Sequence, residues 1–132
     1  MKIAEVSKRY GVSSDTLRYY ERIGLLRHVP RTSSGVRDYE ESDCARIEFV
    51  KCMRDAGIPI EPLIEYIRLY EQGDSTSEQR KALLVEQRAL MQQRIDAMQA
   101  GLDRLDAKIA SYDTIIASRE HDMRAAELAD GR

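Results

Sequence analysis

From Met91 onward an apolar side chain recurs at alternating spacings of four and three: Met91, Ile95, Met98, Leu102, Leu105, Ile109, Tyr112 and Ile116. This is a heptad seam, the pattern of a helix that packs against another helix along its length. Leu84 stands in the same register one heptad earlier, with Arg88 the polar member between. No turn signal interrupts residues 78 to 118, so one helix of roughly 40 residues and ~60 Å is expected there. Gly101 beside the seam costs such a helix only about 1 kcal/mol relative to Ala. Nothing else in the chain is large enough to cover the seam, so a second copy must cover it. The sequence therefore predicts a homodimer through a two-stranded coiled coil. The heptads leave parallel and antiparallel arrangements both open.

The rest of the 132 residues has room for one small domain. No stretch approaches the ~18 apolar residues of a membrane span. Met1 to Val6 lacks the apolar core of a signal peptide, so a cytoplasmic protein with no membrane partner is expected. Two cysteines cannot build a disulfide framework. The net charge of -2 conceals a split. Residues 1 to 37 carry Lys2, Lys8, Arg9, Arg18, Arg22, Arg27, Arg31 and Arg37 against Glu5, Asp15 and Glu21, a balance of 8 − 3 = +5. The remainder holds 13 basic and 20 acidic groups, or -7. A local field of that size attracts anionic partners over a Debye length of ~10 Å.

Within the basic segment, Ile3 to Tyr10 reads as a short helix closed by Gly11. Ser13 or Ser14 then caps a second helix through Leu17, Tyr20 and Ile23, stopped by Gly24. Two helices joined by a short turn form a helix-turn-helix pattern. Leu25 to Tyr39, with turn residues at Ser33 to Gly35 between Arg31 and Arg37, reads as a small β-hairpin. A third helix is expected from about Glu40 to Ala56, and a fourth after Pro59 and Pro62. Gln72 to Ser77 reads as a linker. Residues 119 to 132 lose all periodicity and are expected to fray. The division is thus 1–72, 73–118 and 119–132.

No nucleophile-plus-base motif, phosphate-binding glycine loop or metal set is present, so neither an enzyme nor a cofactor is expected. His28 and His121 stand alone. Cys44 and Cys52, eight apart on the third helix, lie about 12 Å apart along its axis. They can share neither a metal nor a disulfide. Cys52 falls on one stripe with Ala45, Phe49 and Ala56, which suits a small core residue as well as a reactive thiol. Glu48 and Asp55 sit one turn away and disfavour a thiolate.

The string from Thr16 to Leu26 (Thr-Leu-Arg-Tyr-Tyr-Glu-Arg-Ile-Gly-Leu-Leu), then Pro30-Arg31 and Gly35-Val36-Arg37-Asp38-Tyr39, resembles the MerR family of transcription regulators. The order of parts fits as well, and the resemblance covers residues 1 to about 118. It implies a mainly α fold: a winged helix-turn-helix with a β-hairpin wing, a helix pair, and a long C-terminal dimerisation helix in an antiparallel coiled coil. It further implies a dimer on double-stranded promoter DNA with a pseudo-palindromic operator, distorting the promoter so that RNA polymerase can engage it. By position, Thr16, Arg18, Tyr19 and Tyr20 fall on or beside the recognition helix and Arg37 on the wing. Arg suits phosphate or guanine edges and the hydroxyls suit phosphate, while Tyr20 also shares the apolar face of its helix. Phe49 to Gly57 resembles the AdhR/NmlR-like subgroup, which responds to aldehydes and electrophiles, and implies Cys52 as the sensor. Two other readings stay open: a regulator sensing an unreactive small molecule with Cys52 structural, and a coiled-coil adaptor for an acidic protein.

Overall fold

The computed structural model describes residues 1–131, and it is mainly helical. Two compact units divide it, Met1–Arg88 and Ala89–Arg132.

The first unit opens with α1 (Ile3–Tyr10) and α2 (Ser14–Arg22). Gly11 ends α1 at φ 65°, a left-handed conformation that costs glycine nothing, and its N–H bonds the Ser7 carbonyl. Ser13 caps α2: its Oγ accepts the Thr16 N–H at 3.1 Å and donates to Thr16 Oγ1 at 2.8 Å. Val6 and Leu17 face inward and join Leu26, Val29, Tyr39 and Ile47 in one core. α3 (Glu41–Asp55) starts where Asp43 reaches back to accept the Glu40 N–H at 2.8 Å. α4 (Ile60–Glu71) follows the turn at Gly57 and Pro59. Leu25, Val50, Ile58, Leu63 and Ile67 form a second core, and Tyr20 packs against both.

Four expectations are revised. The β-hairpin is reduced to a single antiparallel bridge, Arg31 to Arg37, and no strand is present among the described residues. Thr32 and Val36 bond across a turn closed by Gly35 at φ 85°, and Asp38 N–H bonds the Pro30 carbonyl. The loop is too short to pair further, because Pro30 lacks an N–H and Tyr39 turns into the core. The expected linker is folded: Asp74–Thr76 forms a 3₁₀ turn whose buried Thr76 donates its hydroxyl to the Leu69 carbonyl at 2.6 Å.

The long helix, α5, spans Ser77–Ala110 and stops short of residue 118. At its end the Ala107 carbonyl accepts from both the Ser111 N–H at 3.2 Å and the Ser111 hydroxyl at 3.0 Å. A π-helical segment, Tyr112–Ile116, follows. Residues expected to fray instead form α6 (Ala117–Ala129), built from Ala, Glu and Arg, which favour helix without any apolar period. No helix among the described residues is long and apolar enough to cross a membrane.

Candidate nucleic-acid interface

α2 presents its outer face through Arg18 and Tyr19, both exposed. Arg18 is steadied by Asp15 one turn earlier, at 3.0 Å, a solvent-exposed pair that a phosphate can displace at small cost. The Arg22 guanidinium stacks over the Tyr19 ring, 5.2 Å from its centroid, so the aromatic and the cation hold each other upright. Thr16 is half-buried with its hydroxyl engaged by the Ser13 cap. Tyr20 is half-buried between the two cores, with its ring 6.2 Å from that of Tyr19. Its placement is that of a packing residue.

The turn that replaces the hairpin is bolted to α2. Arg37 Nε donates to Glu21 Oε1 at 3.0 Å, where the carboxylate is 10% exposed and the guanidinium 21%. Arg37 therefore clasps the turn to α2 and keeps part of its guanidinium at the surface. Arg31 spans the same turn, donating to the Gly35 carbonyl at 2.8 Å. Arg27, counted in the basic segment, points elsewhere. It grips the buried Asp43 with two bonds, at 2.7 and 3.2 Å, and Glu40 at 3.0 Å. Glu21 and Asp43 were not singled out from the sequence. Their partners lie sixteen residues away, and only the Glu40–Asp43 capping spacing hinted at either.

On α3 the buried stripe is Asp43, Cys44, Ile47 and Val50. Ala45, Cys52 and Ala56 lie exposed with Phe49 half-buried, so the stripe proposed for a core-packed Cys52 is the outer one. The reason is rotational: the apolar positions Ile47 and Val50 outbid the smaller Ala side chains for the interior. Cys52 is an exposed free thiol and Cys44 a buried one, beside the Tyr10 hydroxyl. The Lys51 ammonium is held above the usual lysine range, first by its hydrogen bond to Asp55 and in smaller part by the neighbouring Cys52. Among the described residues no group of His, Cys, Asp or Glu is gathered in a way that could hold a metal ion.

In the second unit, Ile95, Met98, Leu102, Leu105, Ile109 and Tyr112 are exposed, Met98 and Ile109 at 77% and 72%. Met91 and Ile116 are half-buried. Tyr112 and Ile116 fall on the π-helical segment rather than on α5. The Tyr112 phenol is raised above its ordinary value by a hydrogen bond with Glu120, which ties that segment to α6.

Comparison with known proteins follows the same lines. Residues 1–69 match the family model described as MerR HTH family regulatory protein, and residues 44–117 match one described as MerR, DNA binding. The HTH-type transcriptional regulator AdhR of Bacillus subtilis is 54% identical over 87 residues, 66% of this chain and 62% of that protein. The aligned stretch thus spans less than two thirds of that relative's length. A crystal structure of a putative MerR family transcriptional regulator from Listeria monocytogenes superposes with TM-score 0.72 at 44% identity, covering 98% of each chain. HiNmlR, described as a MerR family regulator lacking the sensor domain, bound to promoter DNA, superposes with TM-score 0.65 at 28% identity over 88% of this chain and 92% of that one.

Proposed function

The chain belongs to the MerR family of helix-turn-helix regulatory proteins, and on that premise we propose that it is a dimeric transcription regulator that binds and distorts promoter DNA. The observation that carries this reading is the surface of α2, where Arg18, Tyr19 and Arg22 stand exposed beside a turn clasped to the same helix by Glu21 and Arg37. A helix of that kind fits the major groove while the turn reaches the flanking backbone. Arg18, Tyr19 and Arg37 act mainly on phosphate, Thr16 on a base edge or phosphate, and Tyr20 chiefly sets the helix in place. The exposed seam of α5 supports a coiled-coil dimer, antiparallel as the family resemblance implies. Two recognition helices held at a fixed separation require an operator with two inverted half-sites. Bending the DNA between them costs on the order of a few kcal/mol, offset by the contacts that the bend permits. RNA polymerase then engages the realigned promoter.

Sensing in this reading falls to Cys52. Its exposed thiol is open to reagents, whereas Cys44 is closed off in the core. The thiolate sulfur adds to an aldehyde carbon, the carbonyl electron pair moves to oxygen, and oxygen takes up a proton. The lysine and acid beside it, Lys51 and Asp55, are paired with each other. Reporter output from the regulated promoter, with and without aldehyde, tests this in wild type and Cys52→Ser. A response lost in Cys52→Ser supports the thiol. An unchanged response removes it from the mechanism while leaving DNA binding intact.

A further inference from the structure

Between α3, α4 and the first turns of α5 lies a cavity of about 540 Å³ that the DNA reading does not use. Such a volume is within the range of small-molecule sites. Buried Leu26 and Ile67 contribute to its lining, as does the stacked pair Phe49 and Tyr66, ring centroids 5.5 Å apart. Its charged lining is unevenly compensated. Arg27 is cancelled by Asp43 and Glu40, and Arg46 gives one nitrogen to Glu71 at 3.0 Å. Arg80 has no carboxylate among the described residues: it donates only to Thr76 Oγ1 at 3.1 Å and the Gly73 carbonyl at 3.4 Å. Both Arg46 and Arg80 rest on the Tyr70 ring, 5.4 and 5.7 Å from its centroid. Both guanidinium groups line the cavity, and Arg80, without a carboxylate of its own, leaves it a positive charge that an anion can neutralise.

We propose that this cavity binds a small planar carboxylate, its ring against Phe49, Tyr66 and Tyr70 and its carboxylate on Arg80 and Arg46. A guanidinium fork matches a carboxylate with two parallel bonds, and an aromatic wall favours a flat apolar body over a hydrated inorganic anion. The ligand would join α3, through Arg46, to the start of α5, through Arg80. It would also compete for the Arg80 bond to Thr76, which anchors the 3₁₀ turn between α4 and α5. A ligand with different affinity for two settings of that turn shifts their populations. The site shares no residue with the DNA-facing set and does not include Cys52. Binding itself does not depend on the DNA reading.

Isothermal titration of the full chain with benzoate and with its uncharged analogue benzamide, without DNA, tests the proposal. Benzoate should bind saturably and benzamide at least about tenfold more weakly. Arg80→Gln should weaken benzoate by about ten- to a hundredfold, the loss of a hydrogen bond to a charged group, with Arg80→Lys in between. Cys52→Ser and Arg18→Ala should bind benzoate as wild type does. Equal affinity for the two compounds, full retention in Arg80→Gln, or no saturable binding at millimolar benzoate would overturn it. The last result is also what a partner protomer seated over the cavity would give. Should Arg80→Gln lose its far-UV circular dichroism, the benzoate–benzamide ratio in wild type and the Arg80→Lys variant decide the matter.

Discussion

Replacing Glu21 by Gln preserves the side-chain shape and removes the charge that clasps Arg37. The pair joins Nε to Oε1 at 3.0 Å with the two groups 21% and 10% exposed. Fully exposed pairs are worth ~0–1 kcal/mol, and hydrogen bonds to charged groups ~1.5–3 kcal/mol. The residual exposure of Arg37 places this pair between them, so a coupling of about 1–2 kcal/mol is expected. A double-mutant cycle of Glu21→Gln and Arg37→Gln measures it by urea unfolding at fixed protomer concentration, since the stability of a dimer depends on that concentration. The same variants separate positioning from bulk charge at DNA. Glu21→Gln makes the basic segment one unit more positive, so charge counting alone expects tighter binding. If Glu21 instead sets Arg37 against the backbone, Glu21→Gln binds DNA more weakly, in the same direction as Arg37→Gln. A coupling below about 0.3 kcal/mol, within ordinary additivity, or tighter binding by Glu21→Gln at every salt concentration would refute the clasp.

Leu102→Glu puts a charge in the middle of the exposed seam and forfeits ~1.5–3 kcal/mol of apolar burial per protomer; sedimentation should show the dimer replaced by monomer, with the helical content of the first unit retained. Tyr39→Phe should leave stability unchanged or raise it by about 1 kcal/mol in denaturant titration, because the buried hydroxyl has no hydrogen-bond partner. Burial also raises the Tyr39 phenol above its ordinary value. The folded state therefore holds this proton longer than the unfolded one. Its contribution is fully present below about pH 10 and is lost as pH climbs through the raised folded value, and Tyr39→Phe should blunt that alkaline loss. Ser13→Ala removes the α2 cap and should cost about 1 kcal/mol, read as a lower urea midpoint with an unchanged slope.

Much of the first unit was legible because its signals are local. Gly11, Ser13 and Gly24 mark where α1 ends and α2 begins and stops, and Glu40 marks the start of α3. The departures share a different physics. Whether Arg31 to Arg37 becomes a ladder or one bridge depends on Pro30 and on Tyr39 being drawn into the core. The 72–77 stretch looked like a linker because Gly, Ser and Thr dominate it, yet Thr76 finds the Leu69 carbonyl seven residues back and is buried. The seam was visible as periodicity, whereas the change from α5 to the π-helical segment after Ser111 leaves that periodicity unbroken and has no local signal. At the candidate interface, Arg18 and Tyr19 stood out through their motif. The Glu21–Arg37 clasp and the Arg80 cavity depend on residues far apart in the chain, and no local pattern announces them. Cys52 turned outward because Ile47 and Val50, half a turn away, hold the interior.

Selection of operators from a random duplex library, followed by binding isotherms from low to high salt, bears most directly on the claim that two clasped recognition helices read DNA. Two inverted half-sites should be enriched, with affinity far above that for scrambled duplex and a steep decline with salt. Arg18→Ala should flatten that salt slope by about one per lost phosphate contact while sedimenting as the same dimer. Enrichment of no inverted repeat, or equal affinity for selected and scrambled duplexes across the salt range, would contradict it.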